Sequence, residues 1–407
     1  MATDAAEIGQ RARTIRRRRG LSVEVAAGLA GISKGYLSML ERGLRNFERR
    51  GLMEDLAGGL GCSVADLTGQ PYLPADRDTA DALAAIPGIR LALADYGPDD
   101  VPDVAPRPLD QLVAQIDQAS AHVDQTRFSL AGRDAGALVT ELHAHALTAK
   151  APDSQPAFAA LVTACMVAGA VAKNLGYIDL SVTAARRGVE FARRQGDPGI
   201  TGFARWYWGI GLMRLAARHR ASSVLTAGVD ELAPAMRLDN TDDSLPAEMA
   251  GLMHLTSAQT AARDRDADDA RAHLDEAAAV AARIGERNGM RQHFGPTNVA
   301  VWRLGIGIEL GEGGRAYEEA TRVPIDVEAL GSAERSSALY LDMARALAQE
   351  GHDRDGEAIR HIDAADRLAP QYVRPDPLAR ELVAALDRRA RRRVWELDSL
   401  RNRFGIG

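Results

Sequence analysis

Between Gly20 and Gly43 the chain carries residue types that suit two short helices crossed tightly over a turn, and little else. Ala27 is small where the first helix must touch the second, and Gly31 stands in the turn where a positive φ is wanted. Leu37 and Leu40 lay one apolar stripe along the second helix. Ser22 and Ser33 each occupy an N-cap position, so both helix starts carry a side chain able to satisfy free backbone N–H groups. So tight a crossing gives the second helix a fixed aim and one open face, the requirement for entering the major groove of DNA.

Residues 8–69 resemble the helix-turn-helix of the phage-repressor class, the Cro/C1 or XRE family. The features run in order: an Arg-rich first helix, Gly20-Leu21-Ser22 before the second, Gly31-Ile32-Ser33 before the third, Glu41-Arg42-Gly43 after it, and the run from Leu60 through Gly61 and Cys62 to Leu67 at the end. The resemblance implies a five-helix DNA-binding domain over residues 1–72, with a double-stranded operator as partner and the third helix in the major groove. It also implies that Arg16 pairs with Glu41 as a structural clamp, not as a DNA contact. Many members carry glutamine at the start of the second helix; Val23 stands there in this chain, so that contact is absent.

With Ile32, Leu37 and Leu40 turned inward, the third helix offers Ser33, Lys34, Gly35, Tyr36, Ser38 and Met39 to the groove. Lys34 can donate to guanine O6 or N7, while Tyr36 and Met39 suit apolar contact with a thymine methyl or packing along sugars. A phosphate is the alternative partner for Tyr36. Gly35 costs about 1 kcal/mol against Ala inside a helix, and its bare Cα permits a close backbone approach. Arg42, Arg45, Asn46 and Arg49 follow this helix and can hold phosphates without reading sequence. Arg11, Arg13, Arg17, Arg18 and Arg19 form a solvated basic face that adds long-range attraction.

The whole chain of 407 residues has a net charge of −6, whereas residues 1–70 hold eleven basic against eight acidic residues, so the positive charge is local. Arginine dominates the bases: Lys34, Lys150 and Lys173 are the only lysines. Cys62 and Cys165 lie far apart in apolar patterns, which points to neither a disulfide framework nor a metal site. The N-terminus has no secretory pattern and no apolar run reads as a bilayer span, so a cytoplasmic protein without a membrane partner is expected. Catalysis has little support, and no cofactor is expected. His143 and His145 are two apart on a helix and point to different faces, and the glycines from Gly305 to Gly311 lie inside a helical pattern, where they suit close packing.

Residues 73–108 read as a linker, with a helix over 81–94 and then a Pro-rich stretch, 97–108, suited to a hinge or extended connector. From Leu109 onward the pattern is of amphipathic helices, giving an all-α chain. Turns near Leu175-Gly176-Tyr177, Arg218 to Arg220, Asp264 to Asp266, Gly311 to Gly313 and Gly351 to Asp353 recur at roughly 40 to 47 residues. Such a period signals an α-solenoid over 109–407, in which helical hairpins bury their faces against their neighbours and the first helix of each lines a concave surface. It resembles a tetratricopeptide array, with armadillo or HEAT-like stacking the alternative. Residues 377–403 read as a capping helix with a basic middle, Arg388, Arg389 and Arg391 to Arg393.

A phage-repressor-type reader joined to helical repeats resembles two overlapping groups, the peptide-sensing quorum regulators of Gram-positive bacteria and the large XRE regulators of actinomycetes. The segment from His293 and Phe294 through Asn298 to Trp302 and Arg303 is similar to one that recurs in the second group. The resemblance implies a ligand-responsive transcription regulator that binds a near-palindromic operator as a homodimer and senses a peptide or small metabolite. A protein-interaction scaffold tethered to DNA is the alternative. Because a side-chain amide both donates and accepts, Asn298 and Asn174 are candidates to grip a ligand backbone. His293, Trp302, Arg205 and Trp206 add candidate ligand surface, and Arg214, His254 and Arg303 are candidates to bind a carboxylate.

Overall fold

The computed structural model describes residues 4–74, 76–238, 243–323, 325–351, 353–390 and 394–406. His352, in one expected turn, and Arg391 to Arg393, in the expected capping helix, lie outside the described residues. Five helices come first: α1 (Asp4–Arg18), α2 (Val23–Leu29), α3 (Lys34–Glu41), α4 (Arg50–Leu60) and α5 (Val64–Thr68). The two serine caps form as the sequence requires, Ser22 Oγ accepting from the Val25 N–H and Ser33 Oγ from the Tyr36 N–H, both at 3.1 Å. Gly31 has φ +64° in the turn. Ala26, Ala27, Leu37, Leu40, Leu56 and Leu67 fill a small core beneath them. A methyl group on Gly9 would collide with the Leu40 carbonyl, so α1 and α3 touch backbone to backbone.

The next helices are α6 (Arg77–Ala84), α7 (Ile86–Ala94), α8 (Leu109–Asp124), α9 (Phe128–Gly132) and α10 (Ala135–Thr148). Then come antiparallel hairpins: α11 (Ser154–Asn174) with α12 (Ile178–Gln195), α13 (Pro198–Arg214) with α14 (Arg218–Leu232), and α15 (Leu245–Arg263) with α16 (Ala267–Ile284). They continue as α17 (Pro296–Leu310) with α18 (Gly313–Arg322), a short α19 (Val327–Leu330), and α20 (Ala333–Gln349) with α21 (Asp355–Leu368). The chain closes with α22 (Pro370–Val373), α23 (Pro377–Arg389) and α24 (Trp395–Phe404). Among the described residues the only strand-like pairing is an isolated bridge between Arg287 and Phe294. The first helices α11, α13, α15, α17 and α20 stack one on the next.

One left-handed residue ends the first helix of each of these pairs: Gly176 (φ +89°), Ala216 (+61°), Arg265 (+64°), Gly311 (+83°) and Gly351 (+111°). A residue at positive φ reverses the chain in the fewest steps, which lets the two helices pack antiparallel at once. Two of the five are not glycine and accept the strain of that conformation. The glycines within α17 sit at close contacts: a Cβ on Gly307 would lie 2.7 Å from that of Ala316 in α18, and one on Gly305 2.7 Å from the Asp342 carboxylate.

Three sequence expectations change. The 81–94 helix is two, α6 and α7, divided at Ala85 with Pro87 in the first turn of the second. The Pro-rich stretch is fixed in place and does not form a free hinge. Prolines lack N–H groups and leave carbonyls to be satisfied by others, and here Arg187 donates to the Tyr96 carbonyl at 2.7 Å while the Arg107 guanidinium grips Glu141 of α10 (Nη2 to Oε1 2.6 Å). Ile86, Ile89 and Leu93 join the repeat core, so residues 73–108 pack with the solenoid. The capping helix is likewise two, because Leu397, Leu400 and Phe404 of α24 turn back into the terminal core.

Against the expectation of no apolar run of spanning length, α11 is long and apolar enough to cross a membrane, with a mean hydropathy of 1.7 over its best window. Most of that window, 72 %, is buried inside the protein, with Leu161, Val162, Cys165 and Val171 fully enclosed between α10, α12 and α13. A helix apolar on all sides is what the centre of a large all-α core requires. Burial pushes the Cys165 thiol up to about 12, while Cys62 remains half-buried near the surface. Thiol titration of the native protein at pH 8 should therefore label Cys62 first and Cys165 only as the chain unfolds. Equal rates at the two positions would contradict the placement of α11.

Candidate functional site

The open face of α3 keeps the residues that the sequence assigned to it. Ser33, Lys34 and Gly35 are exposed, and Tyr36, Ser38 and Met39 are half-buried beside them. Behind this face Arg16 and Glu41 form the implied clamp, with Nε to Oε1 at 2.5 Å and Nη2 to Oε2 at 2.8 Å, and Arg16 also donates to the Leu21 carbonyl at 2.8 Å. A buried bidentate pair of this kind fixes α1 against α3 geometrically. Lys34 rests against Glu24 at 3.3 Å with both side chains largely exposed. Such a surface pair contributes less than about 1 kcal/mol, so Lys34 is readily drawn away by a base. Burial raises the Tyr36 phenol, which leaves a neutral O–H donor at neutral pH.

The four expected phosphate holders divide. Arg42 and Arg45 are exposed beside α3. Asn46 and Arg49 instead face the solenoid: Asn46 Oδ1 accepts from Arg388, and Arg49 lies 3.5 Å from the Glu309 carbonyl. They belong to the docking of the five-helix unit onto the repeats, which centres on α4. That helix begins at an N-cap, Arg49, with no capping side chain of its own. The missing acceptor comes from α17, where the Glu309 carboxylate takes the Arg50 and Gly51 N–H groups at 3.2 Å each and the Arg345 guanidinium at 2.9 Å. A carboxylate at a helix N-terminus satisfies free amides and opposes the positive end of the dipole.

Glu54, one turn further along α4, is held by Arg263 at 2.8 Å and Arg218 at 2.9 Å, and Arg218 also reaches Asp55 and Asp264 at 2.9 Å. Arg50 pairs with Asp376 at 2.8 Å. The backbones meet closely at Gly51, where a Cβ would sit 3.0 Å from the Arg263 carbonyl. Arg265, in the left-handed turn after α15, donates to the Gly31 carbonyl at 3.2 Å, next to the start of α3.

Beneath α4 lies a cavity of about 170 Å³ lined by α11, α13, α15, α17 and α20, with Arg50 contributed by α4 itself. Five expected ligand residues meet there: Trp206, Arg214, His293, Asn298 and Trp302. Trp206 directs its N–H to Thr256 at 2.9 Å and leaves ring surface to the cavity. His293 is in the left-handed region (φ +51°), bonded to Asp124 at 2.7 Å, with its carbonyl accepting from Asn298 Nδ2 at 2.7 Å. Met290 and Arg291 are left-handed too, so this loop stores strain where it borders the cavity.

The other four lie elsewhere. Asn174 turns back on its own helix, donating to the Ala170 carbonyl at 2.9 Å. Arg205 is buried between α13 and α14 and paired with Glu231 at 2.6 Å. His254 meets His273 between α15 and α16, Nδ1 to Nδ1 at 3.0 Å with the rings tilted, and Arg303 is exposed. Each sits on a helix that lines the cavity, on a face turned from it. Arg214 does line the cavity, and with it come Lys173, Tyr207, Glu334 and Arg335, which the sequence reading passed over. Lys173 had a signal, being one of three lysines among 50 basic residues. Burial lowers it to about 8. Burial acts to raise Glu334, but Lys173 and Arg335 outweigh it and hold this carboxyl at about 2.

A compact helical unit with one open helix, capped and held by a helical array that encloses a cavity, defines a helix-turn-helix unit docked on an α-solenoid. Residues 7–68 match the family model of a helix-turn-helix domain, which covers α2 and α3 with their flanking helices. No curated protein matches the chain in sequence. Among solved structures, the chain is similar to Bacillus thuringiensis PlcR in complex with the peptide PapR7 and DNA, at 13 % identity and a TM-score of 0.30 over 68 % of this chain and 94 % of that one. It is similar to BtubC from P. vanneervenii at 16 % identity and a TM-score of 0.32 over 72 % and 92 %. Apo ComR from Streptococcus vestibularis gives 13 % identity and a TM-score of 0.21 over 89 % and 99 %.

Burial acts to raise Glu309 and Asp376, yet the arginines around them outweigh it and hold both carboxyls below their ordinary range. A carboxyl depressed in the folded protein stabilises it fully above its ordinary pKa, and that stabilisation is lost as pH falls through the depressed value. Docking should thus be intact at pH 6 and fail only below about pH 4. Glu309→Ala removes the cap and one of the two carboxylates on Arg345, which keeps Asp342 at 2.7 Å, at a cost of about 1.5 to 3 kcal/mol. Amide exchange at Arg50 and Gly51 should then accelerate far more than exchange at the core of α11; unchanged protection of those two amides would contradict the capping role.

Proposed function

We propose that this protein is a sequence-specific DNA-binding transcription regulator whose repeat domain holds a small ligand and, through it, controls the reader. The observation that carries the reading is the placement of the five-helix unit. The face of α3 that bears Ser33, Lys34 and Gly35 is open to solvent, while the next helix, α4, takes its cap from Glu309 and gives Arg50 to the cavity wall. A molecule in the cavity therefore meets the reader directly, with no long relay between them. A ligand can shift an equilibrium only by binding its states differently. Here the two states are a docked reader and one released or re-aimed on the solenoid.

Reading a dyad operator as a homodimer follows from the same logic, because affinity then depends on the separation of two α3 helices by one turn of DNA or a multiple of it. On this reading Lys34 contacts a base, Arg42 and Arg45 hold phosphates, and Asn46 and Arg49 become available to phosphates only when the reader leaves its docked position.

Sequence selection of the full-length protein on random DNA should return a two-half-site motif. Lys34→Ala should cost about 1 to 3 kcal/mol on that motif and relax preference at one position, while Arg45→Ala should weaken all sequences alike and lower the salt slope by about one. Uniform, salt-sensitive binding with no motif would remove the operator reading and leave a DNA-tethered scaffold. Glu309→Gln should change operator affinity although it touches no DNA; an unchanged affinity would uncouple docking from reading.

A further inference from the structure

We propose that the cavity is a site for a compact, flat carboxylate, its charge seated between Lys173 and Arg214 and its apolar body against Trp206 and Trp302. The proposal rests on the ligand-controlled reading above and supplies the class of ligand. Where the cavity approaches the reader its wall carries Arg50, Lys173, Arg214 and Arg335 against two carboxylates, Glu334 and Asp376. Both carboxylates are committed, Asp376 to Arg50 at 2.8 Å and Glu334 to Arg335 at 2.5 Å. Lys173 and Arg214 make no hydrogen bond or ion pair among the described residues, and Arg214 Nε is closed off from solvent with no partner. Four enclosed cations facing two carboxylates, with Glu334 shared between Lys173 and Arg335, leave this wall with an excess of positive charge and a place for one anion.

Two further polar atoms point the same way. Trp302 Nε1 and Asn298 Oδ1 are buried without partners, and Asn298 is only 1 % exposed. Buried polar groups in folded proteins are almost always bonded, so an unused donor and an unused acceptor on one cavity wall mark the places of a ligand's polar atoms. Size narrows the class. A dry cavity of about 150 Å³ holds one benzene ring, and this one measures about 170 Å³, whereas a peptide of several residues needs a pocket of about 300 to 1,000 Å³.

The same two cations also line a second cleft of about 210 Å³, between the solenoid and α5, where Ser63, Val64 and Ala65 form the opposite wall. An anion between Lys173 and Arg214 therefore sits on the partition between ligand space and reader, beside Arg50. Lysine suits this point in a chain otherwise rich in arginine, because a compact ammonium fits where a planar guanidinium would need room for its fork.

Benzoate and benzamide share a shape and differ in charge, which makes them the probes. Calorimetric titration of the full-length protein should show benzoate binding once per chain and benzamide at least about tenfold more weakly. Lys173→Met and Arg214→Met, which keep an apolar stem, should each weaken benzoate about tenfold or more and leave benzamide unchanged. The exposed Arg303→Met, on α17 outside the cavity, should weaken neither. Thermal unfolding without ligand gives a second, independent measurement: Lys173→Met should be as stable as the parent or more so, because it removes one of four enclosed cations that face only two carboxylates. Equal affinity for the two probes, benzoate binding untouched by both cavity substitutions, no benzoate binding up to about 10 mM, or a clearly destabilised Lys173→Met would each overturn the anion site. Benzoate binding that leaves operator affinity unchanged would keep the site and sink ligand control. A protein that selects no operator yet distinguishes the two probes would do the same.

Discussion

The docked arrangement depends on a helix that cannot finish itself. α4 begins at an arginine, has no side-chain cap, and exposes its first amides toward the solenoid, where Glu309 completes it. The acceptor is fixed in turn by Arg345 and sits on α17, whose glycines allow α18 and α20 to approach closely. Glu54 repeats the arrangement one turn along, between Arg218 and Arg263. These groups are buried, and a buried ion pair gains little net stability once desolvation is counted, but a broken one costs several kcal/mol. The network therefore sets where the reader sits more than how firmly the whole chain is folded.

The array that receives it owes its shape to turns and small residues. Left-handed turn residues close each hairpin, alanine-rich faces let the first helices stack, and α11 runs through the centre as an apolar rod. Stacking leaves an inner wall on which charged residues are enclosed. Such a wall does two things at once: it anchors α4 through arginine and glutamate pairs, and it surrounds a cavity whose cations exceed its carboxylates.

Local chemistry made the five-helix unit legible in the sequence. Ser22, Ser33, Gly31 and the Leu37 and Leu40 stripe each act within a few residues, and the structure matches them nearly position for position. The hairpin turns were legible by period, although Ala216 and Arg265 carry positive φ with nothing in their residue type to announce it. The cavity was half legible. Trp206, Asn298 and Trp302 line it, but Arg205 on α13 and His254 on α15 turn away from it because these helices are buried all round and their apolar pattern gives no phase. Asn46 and Arg49 look like phosphate holders in any isolated reader. Only the long-range contact with α17 and α23 shows them turned to the solenoid, and no local pattern encodes a contact across more than 250 residues.

Arg50 belongs to the reader by sequence and to the cavity by position. Cutting the chain after α5 would thus remove a charged wall from the pocket as well as a DNA-binding head, and would leave α4 without its cap. The two halves are not exchangeable modules, as a hinged head on a separate body would be. A reader grafted here must bring an arginine at this position and a first helical turn that accepts a borrowed carboxylate. On the proposed reading, the ligand preference of the cavity and the identity of the helix-turn-helix unit are inherited together.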